Sequence, residues 1–177
     1  MRLFHVSEES DIEVFHPRLP KRKDLDPNVG LVWAINENCL PNFLTPRDCP
    51  RVTYHVGENT VPADIRAHIS SGTARHVVVI ESAWFERMKN TTLFIYEFDS
   101  KGFVLQDFQA GYYVSTASRV PVAKRVVSDL FAELFLRNVE LRVVDNLWDL
   151  CGRIQKTSLN WSMCRMVNAI AKSNKAE

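Results

Sequence analysis

The feature that most restricts the fold of this chain is a set of apolar runs, each only as long as a β-strand. They are "RLFHVS", "GLVWAI", "RVTYHV", "RHVVVIES", "LFIYEF", "FVLQD" and "VELRVV". Runs of this length, rich in Val, Ile, Phe and Tyr and bounded by turn residues, predict strands. "AGYYVST" adds an aromatic strand after a glycine turn. Two stretches between them, "FHPRLPKRKDLDPNVG" and "CLPNFLTPRDCP", carry three prolines each, which excludes a long helix there. Helical spacing is confined to three places. "VPADIRAHISSG" has Pro62 in its first turn and Gly72 after its last. "PVAKRVVSDLFAELFLRN" predicts a helix with Val126, Val127, Leu130, Phe131 and Leu134 on one face, and "SLNWSMCRMVNAIAK" predicts a final helix carrying Trp161, Met163, Met166 and Ile170. Helices that do not alternate with strands predict a mixed α+β fold, not a doubly wound parallel sheet. We expect one domain over residues 1–177, with a C-terminal helical extension over about 121–172.

Charge narrows the partners. The 22 Lys and Arg residues nearly cancel 21 Asp and Glu, so a net charge of +1 provides no field to attract nucleic acid or an anionic membrane. No apolar run approaches the ~18 residues of a membrane span. No basic segment followed by an apolar one opens the chain, so a cytoplasmic protein is expected. Cys39, Cys49, Cys151 and Cys164 lack the close spacing of a zinc knuckle and read as reduced thiols, although a zinc held by Cys49 and His55 is conceivable. No metal is expected. The six glycines form neither GxGxxG nor GxxxxGK[ST], and GxSxG and HExxH are also absent. Any nucleotide bound here is held without a glycine-rich phosphate cradle.

Several residues have both a structural and a chemical reading. His5 interrupts the first strand, where Leu3, His5 and Ser7 face one side and Phe4 and Val6 the other. It either points to solvent or opens an active site. Trp33 in "LVWAI" is a core residue or an aromatic platform. Asp107, ending "FVLQD", is a turn or capping residue or a catalytic acid. Glu97, ten residues earlier in "FIYEF", faces solvent or shares a cleft with Asp107, where two close carboxylates would form an acid–base pair.

The order of these residues resembles that of the small bacterial rifampin ADP-ribosyltransferases. "FHVS" stands for that family's "YHGT"-like first-strand motif and "VWAI" for its "VYAT"-like second-strand motif. "IYEFDSKGFVLQD" stands for its strand, turn and catalytic aspartate, and "YVSTASRVPV" for its serine- and arginine-containing segment. The resemblance covers residues 2–125, apart from an unaligned stretch at 36–90. Two positions depart from it: Trp33 replaces a tyrosine, and Val6 replaces the glycine after the histidine. "LFHVSEE" and "NWSMCRMVNA" also resemble an uncharacterised bacterial family of similar length, which implies no function.

The first resemblance implies an ADP-ribosyltransferase-like split sheet with flanking helices. It also implies NAD+ as substrate and transfer of ADP-ribose to an acceptor that the residues do not name. Asp107 would be the catalytic acid, with Glu97 and Glu140 as alternatives, and would stabilise the positive charge that develops on the ribose. Trp33 would stack on the cationic nicotinamide. His5 would bond a ribose hydroxyl, and Ser7 the sugar or the carboxamide. Arg18 or Arg119 would hold the diphosphate. Two alternatives stand beside this reading. One is a protein of the same fold that binds a nucleotide or a partner without catalysis. The other is an unrelated α+β domain in which all these residues are structural.

Overall fold

A computed structural model describes residues 1–20, 24–70 and 72–172. Residues 21–23 of the proline-rich segment lie outside the described residues. The fold is α+β, built on two sheets. β1 (Arg2–Ser7), β2 (Val32–Asn36), β5 (Leu93–Asp99), β6 (Val104–Asp107), β7 (Tyr112–Ser115) and β8 (Ala123–Val127) form an antiparallel sheet in the order β6-β7-β2-β1-β5-β8. β3 (Arg51–His55), β4 (His76–Glu81), β9 (Val139–Val144) and β10 (Asn160–Cys164) form the second, in the order β10-β3-β4-β9, with only β4 and β9 parallel. All six residues of β4 are buried, because this inner strand is covered on both faces; "HVVVIE" is apolar throughout its centre for that reason.

The main core lies between the sheets. Phe4, Ile35 and Ile95 of the first meet Val78 and Ile80 of the second, closed by Met88 of α2 (Phe85–Lys89) and by Leu130 and Leu134 of α3 (Leu130–Leu136). The outer face of the second sheet buries Val52, Tyr54, Val77 and Val79 under α4 (Trp148–Ile154), with Ile65 of α1 (Pro62–His68) packed alongside. The outer face of the first sheet buries Leu3, Val32, Ala34, Tyr96 and Phe98 beneath Phe15. Phe15 is pinned by paired backbone hydrogen bonds to Arg119, so the proline-rich arm lies across this face. Among the described residues no helix is long and apolar enough to cross a membrane.

Two expectations are corrected. The helix predicted across 126–134 is a strand followed by a helix. Val126 and Val127 belong to β8 and pair with β5, and Asp129 then starts α3 by accepting a hydrogen bond from Ala132 N at 2.9 Å. That side-chain cap satisfies a helix-terminal amide and marks the break. The final helix is replaced by β10, which pairs with β3 from Asn160↔His55 to Cys164↔Arg51. Trp161 and Met163 pack toward the outer core while Ser162 and Cys164 face inward, a period of two and not of 3.6. Residues 121–172 are therefore no helical extension: they supply β8 to one sheet and β9 and β10 to the other.

Candidate functional site

β1 and β2 are paired only at Leu3↔Asn36 and Phe4↔Ile35, although both strands run further. At this break a cleft of about 1070 Å³ opens, reaching from the proline-rich arm to the space between the sheets. Its wall includes His5, Ser7, Trp33 and Asp107.

His5 shares the Leu3 face and rests on Phe15, with ring centroids 4.8 Å apart. Its Nδ1 lies 3.0 Å from the Trp33 carbonyl oxygen, which can only accept, so Nδ1 carries the proton and donates. Burial, assisted by Arg18 and Arg47, pushes the imidazole below its ordinary pKa against the opposing effect of that bond. The ring is therefore neutral near pH 7, and Nε2 is an acceptor. Ser7 Oγ accepts from Glu9 N at 3.1 Å.

Trp33 projects from the opposite face of the sheet. Its ring stands edge-on to Tyr112, with centroids 5.4 Å apart and planes at 87°. His5 and Trp33 line one cleft only because it passes the break between their strands. Asp107 ends β6 across from Tyr112, and its Oδ1 accepts from Ala110 N at 3.0 Å. It thus has the turn role anticipated for it as well as a place on the cleft wall. The turn it holds leads to Gly111, whose φ of +69° and close approach to Asn36 and Cys39 exclude a side chain.

The remaining candidates separate. Arg18 lines the cleft, and its backbone pairs with Leu31. Arg119 does not: its Nε donates to Ser115 Oγ at 2.8 Å, its Nη2 donates to Gly102 O, and its guanidinium lies over Phe103. Glu97 is held by Arg2 through two bonds of 2.8 Å, which keep its carboxyl below the usual range. It borders a different depression from Asp107, so of the two readings of Glu97 the shared cleft with Asp107 is not formed. Glu140 lies on β9 in the second sheet, where it accepts from Ser70 N and Ser70 Oγ at 2.8 and 2.6 Å and from Arg142 Nε at 2.6 Å. Cys49 bonds its neighbour's carbonyl, and it is Cys39 whose sulfur lies 3.9 Å from His55, so the Cys49–His55 zinc pairing is not seen.

The structure adds residues from the second sheet that the sequence reading missed. Arg51 is 3% exposed and borders the cleft, donating from Nε to Asn42 O at 2.5 Å and from Nη1 to Cys49 O at 2.9 Å. Opposite it on β10, Cys164 has its sulfur 3.6 Å from Tyr112 Oη and 3.5 Å from Ser162 Oγ. Thr45, 3% exposed, also lines the cleft, and among the described residues its hydroxyl has no hydrogen-bond partner. The signal that could have found the pair is the alternation of "NWSMC", which sets Ser162 and Cys164 on the face opposite Trp161 and Met163.

No curated protein and no solved structure matches the chain. A family model described as a family of unknown function (DUF6886) matches residues 4–169, and so takes in β2 to β10 and four of the six residues of β1. The residues lining the cleft therefore lie within the matched span, and the chain belongs to the DUF6886 family.

Proposed function

We propose that the cleft binds NAD+ and that the protein transfers ADP-ribose from it to an acceptor, acting in the cytoplasm on a split-sheet architecture of the ADP-ribosyltransferase kind. The observation that carries this reading is that His5, Trp33 and Asp107, from three separate strands, border one cleft large enough for a dinucleotide. The nicotinamide ring packs on Trp33, where its positive charge gains ~0.5–2 kcal/mol from an aromatic face. The neutral His5 accepts a hydrogen bond at Nε2 from a ribose hydroxyl, and Ser7 bonds the sugar or the carboxamide. Arg18 faces the diphosphate; Arg119 is engaged elsewhere. The C–N bond to nicotinamide then breaks, nicotinamide leaves with the bonding electrons, and positive charge develops on the ribose. The Asp107 oxygen not bonded to Ala110 N stabilises that charge more in the transition state than in the ground state. The acceptor nucleophile closes on the same carbon.

A second reading, binding of a nucleotide or partner without catalysis, is favoured by one observation: Asp107 already holds Ala110 N. Titration calorimetry with NAD+, followed by chromatography of released nicotinamide, separates the two. Binding with release supports transfer, binding without release supports the second reading, and the absence of binding removes both NAD+ readings.

A further inference from the structure

The inner end of the cleft contains a second chemistry, independent of the NAD+ reading. Arg51 and Cys164 stand directly across the β3–β10 ladder, which places their side chains on the same face about 4.5–5.5 Å apart at Cβ. Arg51 is buried, yet among the described residues no carboxylate forms an ion pair with it. A buried cation without an anionic partner is costly, so an adjacent group that can become negative is stabilised. The Cys164 sulfur is that neighbour, and two hydroxyls, Tyr112 Oη and Ser162 Oγ, converge on it at 3.6 and 3.5 Å. Burial pushes the Tyr112 hydroxyl well above its usual pKa, so it keeps its proton and is able to donate a hydrogen bond to a Cys164 thiolate. Arg165, at the end of β10, adds a second positive charge. These effects outweigh burial and hold the Cys164 thiol below its ordinary pKa, whereas burial pushes the thiols of Cys39 and Cys49 up to about 12 and that of Cys151 upward. Cys164 is also the half-buried member of the four, and it faces the cleft. Thr45, whose buried hydroxyl has no hydrogen-bond partner among the described residues, lines the same cleft as Cys164.

We propose that Cys164 is a nucleophile of this cleft, activated by Arg51, Tyr112 and Ser162 to attack an electrophilic carbon of a bound small molecule. The probe is iodoacetamide: the sulfur forms a bond to its methylene carbon, the C–I bond breaks, and iodide leaves with the electron pair. The native protein is alkylated from pH 5.5 to 9, and each cysteine is followed by peptide mass spectrometry. Cys164 should react at least about tenfold faster at pH 7 than Cys39, Cys49 or Cys151, with a midpoint below that of an ordinary thiol near ~8.5. Ser162→Ala and Tyr112→Phe should each raise that midpoint, as should Arg51→Met. The Ser162 variant keeps the test open if Arg51→Met, which strands two carbonyls, fails to fold. A Cys164 midpoint at or above the ordinary value, or a rate no faster than that of the other three, overturns the proposal. Fast alkylation that NAD+ does not slow would uphold this nucleophile while counting against NAD+ as the occupant of the cleft.

Discussion

His5→Ala tests both jobs of the imidazole, one in the fold and one in the cleft. In the fold the substitution removes the hydrogen bond to the Trp33 carbonyl at 3.0 Å and the ring contact with Phe15 at 4.8 Å. A hydrogen bond of this kind contributes ~1 kcal/mol net and an aromatic contact ~0.5–1.5 kcal/mol. Together these predict ~1.5–2.5 kcal/mol of lost stability, or a fall in Tm of ~3–10 °C for a chain of this size. In the cleft, Nε2 is lost as an acceptor, which should raise the Kd for NAD+ by ~5–10-fold. Because the folded imidazole is neutral above its depressed pKa, the parent's NAD+ affinity should be flat from pH 7 to 9 and weaken only as acid protonates Nε2 below the ordinary value of 6.5. Differential scanning calorimetry reads the first effect and titration calorimetry the second. An unchanged Tm would remove the link between β1 and β2; an unchanged Kd would remove His5 from the binding site.

Four further outcomes follow from the same geometry. Asp107→Ala should abolish nicotinamide release while leaving NAD+ affinity within about tenfold, because the carboxylate acts mainly on the transition state; equal turnover in variant and parent would exclude the acid. Gly111→Ala forces a side chain to adopt φ +69° with its Cβ 2.7 Å from both Asn36 Oδ1 and Cys39 Sγ. It should lower Tm by several degrees, at ~1–2 kcal/mol for the left-handed backbone alone, and a Tm within a degree of the parent's would refute the close approach. Glu133, held at about 2 by Arg125 and Arg137, adds stability that is complete above its ordinary value of 4.5 and lost as pH falls from there toward 2. The ceiling of ~3 kcal/mol falls to ~1–2 because Arg125 is half exposed, and urea titrations of Glu133→Gln at pH 7 and pH 3 should differ less than those of the parent. His76, buried against His55 with its Nε2 donating to Asn42 Oδ1 at 2.8 Å, is pushed down to about 3 and remains neutral in the fold. The unfolded chain therefore takes up the proton first, and stability should fall by at most ~1.4 kcal/mol per pH unit from 6.5 toward 3. His76→Gln should flatten that slope.

The strands of the first half were legible because each is a short apolar run between prolines or turn residues, as in "GLVWAI" and "RVTYHV". α1 was legible from Pro62 in its first turn. The second half was harder. Val126 and Val127 fit a helical face with Leu130 and Leu134, and only the Asp129 cap reveals that the strand ends before the helix begins. β10 was misread because Trp161, Met163, Met166 and Ile170 can be joined at helical spacing; the ladder that settles their period pairs with β3, more than a hundred residues earlier. The cleft was half legible for the same reason. His5, Trp33, Ser7 and Asp107 all come from the first sheet, on strands that the sequence marks as short apolar runs. Arg51, Ser162 and Cys164 are brought together by the long-range β3–β10 ladder, and Tyr112 reaches them by the packing of one sheet on the other, neither of which a local pattern encodes. Glu97, Glu140 and Arg119 looked available as isolated charged residues, but Glu97 and Glu140 are already bound to neighbours far away in sequence, and Arg119 to Ser115 and Gly102.

The proposed NAD+ site lies at the break between β1 and β2, where His5 and Trp33 would read the ligand. The most direct measurement is calorimetric titration of NAD+ into the parent, His5→Ala and Trp33→Ala, with nicotinamide assayed in each cell afterwards. The parent should bind saturably and release free nicotinamide, and both variants should bind more weakly. Saturable binding that neither variant alters, or no heat from the parent at all, would contradict it.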